Sequence, residues 1–200
     1  MTYGICNVSA IAMRKESRHA SEMVSQLLYN ETYTVLDRTF EWVLVRKDNG
    51  PSTNPETCYY EGWIQAKQFC EIREDEFNAL KDKKIYLVNK PIAEYNGKFL
   101  TLGTPLFEPH PDTIEMPSEF HPKMMVDYAK LLLGVPYLWG GRTAMGIDCS
   151  GLVQVCARMA GLLLPRDASQ QVKEGELVYF LQETQPGDLA FFGEEDGHIN

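Results

Sequence analysis

The spacing of hydrophobic positions changes part-way along the chain. In the first third, short runs of β-branched and aromatic residues are separated by turn-forming residues, which is typical of strands rather than helices. These runs predict strands at 33–36, 42–45 and 59–64. Residues 17–28 suit a short helical or looped insertion, and the Pro-, Asn- and Gly-rich stretch 48–55 predicts an exposed loop. Several short strands joined by turns predict a small β-barrel.

A second group of β signals follows at 84–106. Residues 84–88 predict a strand, and Asn96-Gly97 is the dipeptide favoured in a two-residue hairpin turn. Residues 101–106 extend the second arm of this hairpin. Three prolines between positions 109 and 117 then interrupt regular structure. The sequence therefore predicts a second, minimal β-unit followed by a linker.

The last third has helical periodicity. Apolar residues at spacings of three and four predict a helix over 124–133, stopped by Gly134, and a second helix that begins at Asp148 or Cys149 and ends at Gly161. Residues 189–192 predict a buried strand. The order of β-rich segments followed by helix, helix and strand indicates an α+β fold behind small β-barrel modules.

Charge and composition exclude several classes of protein. The net charge of −9 makes nucleic acid an unfavourable partner, and no apolar run approaches the roughly 20 residues that span a bilayer. Five cysteines without a CxxC spacing argue against a disulfide framework or a thiolate zinc site, and four scattered histidines indicate no metal site. We expect no cofactor. Without a visible signal peptide, the sequence favours a cytoplasmic location, or a periplasmic or extracellular one if a leader has been removed. It gives no indication of oligomeric state.

Cys149 is the candidate for chemistry. It stands at the predicted first turn of a helix, where unpaired N–H groups and the helix dipole favour a thiolate. The small neighbours Ser150 and Gly151 leave room for a substrate carbonyl, and the backbone N–H of Cys149 is placed to bind an oxyanion. The alternative is a buried structural cysteine. Cys156, two turns later within the apolar stripe, is interpreted as core.

Four segments in sequence order carry a family resemblance: GVPYLWGG at 134–141, DCSGLV at 148–153, PRDASQ at 165–170 and PGDLAFF at 186–192. Together they resemble the NlpC-type family of bacterial papain-like cysteine peptidases that cut cell-wall peptides. Residues 12–14, 25–28 and 60–64 resemble bacterial SH3-like domains that often precede such peptidases. The resemblance implies an SH3-like domain over 1–73, a second small β-unit and linker over 74–116, and a papain-like catalytic domain over 117–200.

The resemblance also implies roles for individual residues. Cys149 would be the nucleophile, and Asp148 and Ser150 on either side of it would shape the substrate pocket. Tyr137 would lie over the site, and Asp167 would pair with a free substrate amine. The best-matched subgroup resembles γ-D-glutamyl-diamino acid endopeptidases, which implies muropeptides with a free N-terminal L-Ala as substrates and no metal or organic cofactor.

Several of these residues have a structural alternative. Asp167 would serve equally as a helix N-cap or as the partner of Arg166 in a salt bridge, and Tyr137 and Trp139 would serve as core residues. In the subgroup an SH3-like domain blocks one end of the groove, so an aromatic residue from it would face the substrate amine. Tyr59 or Tyr60 is the candidate, with an ordinary barrel position as the alternative.

The general base is the least defined position. His198 follows the predicted strand after a short loop and is the candidate histidine, although the base could also lie beyond Asn200. The sequence ends where the family fold continues, so we expect it to be truncated, without the third residue that orients the histidine. The leading hypothesis is a cysteine endopeptidase acting on peptidoglycan peptides. The alternatives are a non-catalytic cell-wall binding protein that uses the SH3-like part, and another thiol chemistry on the same fold.

Overall fold

The computed structural model describes residues 1–48 and 59–193 of the 200-residue chain. Over these residues the fold is α+β, with four α-helices and fourteen short strands. The strands come mainly before residue 116 and the helices mainly after it. The predicted order of β-rich segments before helices is therefore confirmed.

Residues 2–72 form one seven-stranded antiparallel sheet, called here the N-terminal sheet, in the order β3-β2-β6-β5-β4-β1-β7. Its strands are β1 (Thr2–Ile5), β2 (Ala10–Arg14), β3 (Met23–Leu28), β4 (Thr32–Arg38), β5 (Trp42–Asp48), β6 (Tyr59–Gln65) and β7 (Glu71–Ile72). Side chains from one face of the sheet bury a compact apolar core, which includes Ile11, Met13, Leu27, Val45 and Ile64. The strands predicted at 33–36, 42–45 and 59–64 are confirmed, and the assignment of an SH3-like domain to 1–73 stays a prediction.

Strand β3 was not expected, because residues 17–28 suited an insertion. Ser25 and Leu27 alternate toward the interior and pair with β2, with Ser25 opposite Met13 and Leu27 opposite Ile11. The prediction of an insertion is thus wrong for Met23–Leu28. The inward position of a polar residue, Ser25, hides the apolar alternation that normally marks a strand.

Residues 74–116, the middle unit, contain one helix and two small sheets. They comprise α1 (Glu74–Lys81), β8 (Tyr86–Val88), β9 (Ile92–Tyr95), β10 (Lys98–Thr101), β11 (Pro105–Leu106) and β12 (Thr113–Glu115). Strands β9 and β10 form a hairpin whose turn, Asn96-Gly97, has φ of +50° and +73°, so the predicted hairpin is confirmed. The predicted extension of its second arm over 101–106 is wrong, because the arm ends at Thr101 and β11 pairs with β8 instead. Leu87 and Leu102 share a core with the helices that follow.

The C-terminal unit, residues 117–193, contains α2 (Pro122–Leu131), β13 (Arg142–Thr143), β14 (Gly146–Ile147), α3 (Cys149–Met159), α4 (Ala168–Gln171) and a 3-10 turn (Leu181–Glu183). Helices α2 and α3 are the two predicted helices. Gly134 and Gly161 follow them with φ of +84° and +89°, which is the left-handed conformation that ends helices. Of the helices described, none has the length and apolar character needed to cross a bilayer.

The strand predicted at 189–192 is not formed. No strand among residues 1–48 and 59–193 pairs with this segment, and Phe192, predicted to be buried, is 74% exposed. Local sequence supplied the β-forming side chains. A strand also requires hydrogen bonds from a neighbour, and no described strand supplies them here.

Candidate active site

Cys149 is the first residue of α3, and its side chain is exposed. It opens onto a pocket of about 450 Å³ between the N-terminal sheet and the C-terminal unit. Cys6 and Cys156 differ from it, because both are buried and burial raises the pKa of each thiol to about 12. A buried structural role for Cys149 is therefore wrong, and the helix-start position predicted for it is confirmed.

Asp148 fixes the start of this helix. Its Oδ1 accepts a hydrogen bond from the backbone N–H of Gly151 at 2.7 Å, which caps the helix, and its Oδ2 accepts one from the N–H of Gly140 at 2.8 Å. The same Oδ2 is 2.6 Å from Nη2 of Arg166. Asp148 is buried and fully engaged, so it shapes the pocket from behind rather than offering a free charge to a ligand.

Glycines allow the surrounding segments to approach closely. Gly140 has a φ of +76°, and a Cβ at this position would collide with the backbone carbonyl of Met23 in β3. A Cβ on Gly151 would likewise collide with the carbonyl of Gly141. Only glycine therefore lets the glycine-rich segment lie between the N-terminal sheet and the helix that carries Cys149.

Asp167 and Tyr60 meet at one wall of the pocket. The Tyr60 hydroxyl donates to Oδ1 of Asp167 at 3.1 Å, which joins strand β6 to the N-cap position of helix α4. Burial raises the pKa of the Asp167 carboxyl, and the hydrogen bond from Tyr60 and the charge of Arg166 only partly oppose this effect. Burial also raises the pKa of Tyr60 above its usual range. The N-cap position of Asp167 is confirmed, whereas Arg166 forms its salt bridge with Asp148 instead.

The rim of the pocket is aromatic and charged. Trp139 is 56% exposed and donates its indole N–H to Glu22 at 2.7 Å, and Glu22 is 3.6 Å from Lys15. Tyr137 is 65% exposed, and its pKa is raised by partial burial and by the nearby Cys149 and Asp148. The interpretation of Trp139 and Tyr137 as core residues is therefore wrong.

The structure brings most of the predicted site residues together. The pocket is lined by Cys149, Asp148, Ser150, Tyr137, Asp167 and Tyr60. Tyr59 is not among its lining residues and packs against Arg46 instead, so of the two aromatic candidates Tyr60 is the one at the site. His198 lies outside the described residues. The functional roles given to all these residues stay predictions.

Sequence reasoning missed several lining residues, namely Lys15, Glu22, Val24, Glu61, Trp139 and Arg166. Four of them come from the N-terminal sheet and its loops. Trp139 and Arg166 lie inside the quoted motifs, so their motif positions were a signal that could have been used. Glu61 lies inside the quoted segment 60–64 as well, whereas Lys15, Glu22 and Val24 had no local signal, because each reaches Cys149 only through the tertiary fold.

Residues 134–200, which contain Cys149 and the glycine-rich segment, match the sequence profile of the NlpC/P60 family. The chain is also similar to two proteins named gamma-D-glutamyl-L-lysine dipeptidyl-peptidase. The one from Bacillus cereus is 26% identical over 90% of this chain and 62% of its own length. The one from Bacillus subtilis is 28% identical over 86% of this chain and 65% of its own length.

A solved structure agrees with the fold. The crystal structure of an NlpC/P60 family protein from Bacillus cereus superimposes with a TM-score of 0.79 at 22% identity, covering 99% of this chain and 86% of that one. At this identity the likeness concerns the fold alone. The chain spans somewhat less than two thirds of the length of the two dipeptidyl-peptidases.

Proposed function

We propose that the protein is a cysteine peptidase that cleaves the γ-D-glutamyl-diamino acid bond of peptidoglycan peptides with a free N-terminal L-Ala. The observation that carries this proposal is an exposed cysteine at a helix start that shares a pocket with a carboxylate lacking a salt bridge among the described residues, Asp167. The names of the two Bacillus relatives support the same bond specificity.

In the proposed reaction the Cys149 thiolate attacks the carbonyl carbon of the γ-glutamyl bond. A C–S bond forms, the C–N bond breaks, and the diamino acid leaves as an amine after receiving a proton. Water then hydrolyses the thioester and regenerates the thiol. We assign the proton transfers to His198, and the oxyanion to the backbone N–H of Cys149. The exposed Tyr137 lines the same pocket and would contact the substrate.

Asp167 is proposed to bind the substrate's terminal ammonium. A carboxylate that burial has made less acidic, held by Tyr60 at 3.1 Å, would gain more from an incoming cation than one already paired. Acetylating the substrate amine removes that cation, so selection for an unblocked N-terminus follows from the same contact.

The N-terminal sheet is proposed to close one end of the groove. It contributes Val24 and Tyr60 to the pocket wall, and the loop before β3 contributes Glu22. Such a wall would limit how many residues fit before the scissile bond, and we propose the SH3-like assignment for this region. We also propose a cytoplasmic location, in keeping with action on free wall fragments.

The nucleophile is tested with Cys149→Ala, incubated with the free tripeptide L-Ala-γ-D-Glu-diamino acid and with the tetrapeptide, and read by mass spectrometry. We expect cleavage to disappear while the circular dichroism spectrum is unchanged, because the Cys149 side chain is exposed. Cys156→Ala is the matched control, since it removes the same thiol from a buried site and should retain cleavage. Undiminished cleavage by Cys149→Ala would exclude this mechanism.

A further inference from the structure

Arg166 is a buried cation at the back of the pocket. Only 2% of its surface is exposed. Its guanidinium donates to three side chains: Asp148 at 2.6 Å, Ser150 at 2.7 Å and Ser25 at 3.3 Å. The first two residues stand immediately before and after Cys149, and the third belongs to strand β3 of the N-terminal sheet.

These three bonds connect segments that are distant along the chain. They reach both neighbours of one exposed cysteine and a sheet residue 141 positions away along the chain. The carboxylate that receives the shortest bond also caps α3 through Gly151. The backbone of Ser150 is held as well, because its carbonyl accepts from Gln171 at 3.0 Å. The start of α3 is thus fixed from two sides, and Arg166 connects that fixed point to β3.

We propose that Arg166 is a positioning residue, which uses strand β3 to set the orientation of the Cys149 sulfur and of the helix-start N–H groups around it. This inference rests on the proposed function, since it concerns the same nucleophile. The N-terminal sheet then has a role in reactivity through Ser25, in addition to supplying part of the pocket wall.

The physical reason is the planar, forked geometry of the guanidinium. It satisfies three acceptors at fixed angles, whereas a lysine ammonium is a point charge on a flexible stem. Arg166→Lys keeps the positive charge beside Asp148 but loses that geometry, so the helix start gains freedom. The N–H groups that favour a thiolate then converge less well on the sulfur.

Arg142→Lys provides a matched control. Arg142 is also 2% exposed and also links the C-terminal unit to the N-terminal sheet, through Glu31 at 3.0 Å. It is not a lining residue of the pocket. Both substitutions should lower the melting temperature. A loss of kcat that arises only from reduced stability would therefore appear in both variants.

The experiment measures the rate at which iodoacetamide alkylates Cys149 between pH 5 and pH 9, together with kcat and KM on the tripeptide. For Arg166→Lys we expect the alkylation midpoint to move to higher pH and kcat to fall about 10–100-fold, with KM changed by less than about threefold. For Ser25→Ala we expect the alkylation midpoint to move in the same direction and kcat to fall about 2–5-fold. For Arg142→Lys we expect an unshifted alkylation profile and a kcat within about threefold of wild type.

The proposal is overturned if Arg166→Lys lowers the melting temperature but leaves the alkylation profile and kcat like those of Arg142→Lys. If Arg166→Lys fails to fold, Ser25→Ala provides the test, because it removes only one hydroxyl. An unchanged alkylation profile in Ser25→Ala would then overturn the proposal. Should the wild-type protein cleave no peptide, the proposed function fails, while the alkylation profiles still test the positioning role.

Discussion

The pKa values of two carboxylates at the junction between the N-terminal sheet and the C-terminal unit are shifted in opposite directions. Glu31 is buried within 2.8–3.5 Å of Arg158, Arg142 and Lys47. Burial alone would raise its pKa, but these three charges more than offset that effect and hold the pKa of Glu31 well below its usual range. The pKa of Asp167 is raised by its burial, and no cation of the described residues forms a salt bridge with it.

The difference separates a structural charge from one suited to a ligand. Glu31 already has cationic partners on both sides of the junction, so removing it would leave buried cations without their anion. Asp167 has uncharged partners, the Tyr60 hydroxyl and the backbone of Gln170 in the capping box of α4, because Arg166 forms its salt bridge with Asp148. A partly buried anion without a cation gains more from a cationic ligand than one that is already paired, and Asp167 is the one that faces the pocket.

The largest effect is expected from Glu31→Ala. Leaving Arg142 and Arg158 buried without their carboxylate should lower the free energy of unfolding by about 3–5 kcal/mol, measured by urea denaturation. Glu61→Ala is the control, because its salt bridge with Arg46 is solvent-exposed and should contribute no more than about 1 kcal/mol. Equal losses in the two variants would contradict the structural role of Glu31.

The two carboxylates should also give stability opposite dependences on pH. The pKa of Glu31 is lowered in the folded state. The Glu31 carboxylate therefore contributes to the free energy of unfolding above the unfolded pKa of about 4.3, and this contribution is lost as the pH falls. The pKa of Asp167 is raised in the folded state. Asp167 therefore contributes to the free energy of unfolding below its unfolded pKa of about 3.9, and this contribution is lost as the pH rises through the folded pKa.

Melting temperatures measured between pH 3 and pH 7 test both signs. The stability advantage of wild type over Glu31→Gln should shrink toward acid pH. The melting temperature of Asp167→Asn should increase relative to that of wild type as the pH rises. The assigned pKa directions are contradicted if the difference in melting temperature between wild type and variant changes in the same direction with pH for Glu31→Gln and for Asp167→Asn.

Asp167→Asn should affect substrate binding more than stability. The amide still accepts a hydrogen bond from Tyr60 but presents no charge to an ammonium. We expect KM for the free tripeptide to rise about 10–100-fold, as measured by steady-state kinetics. The N-acetylated tripeptide should react poorly with both proteins. If wild type turned over the acetylated and free peptides equally well, Asp167 would have no role in recognising the amine.

Tyr60→Phe is expected to have the smallest effect. It removes one hydrogen bond to Asp167 while keeping the ring against the pocket wall, so the loss in binding should be about 0.5–1.5 kcal/mol. Isothermal titration of the free tripeptide with the Cys149→Ala protein, with and without Tyr60→Phe, measures this change. Tyr59→Phe is the matched control and should leave the affinity unchanged, since Tyr59 does not line the pocket.

Elements with a local signal were predictable. Apolar spacing and terminal glycines were sufficient for α2 and α3, and the Asn96-Gly97 pair was sufficient for the hairpin. The predictions failed where a partner decided the outcome. Residues 23–28 became a strand because β2 lies beside them, whereas 189–192 did not because no described strand does.

The sequence by itself determined the nucleophile candidate, because the features that mark Cys149 are within a few residues of it: a position at the start of an apolar helix and the small neighbours Ser150 and Gly151. Only the tertiary structure decided what surrounds that sulfur. Tyr60 reaches Asp167 across 107 positions of the chain, and Ser25 reaches Arg166 across 141. Local periodicity reports which face of an element is buried, but which distant side chains meet depends on how the N-terminal sheet packs against the C-terminal unit.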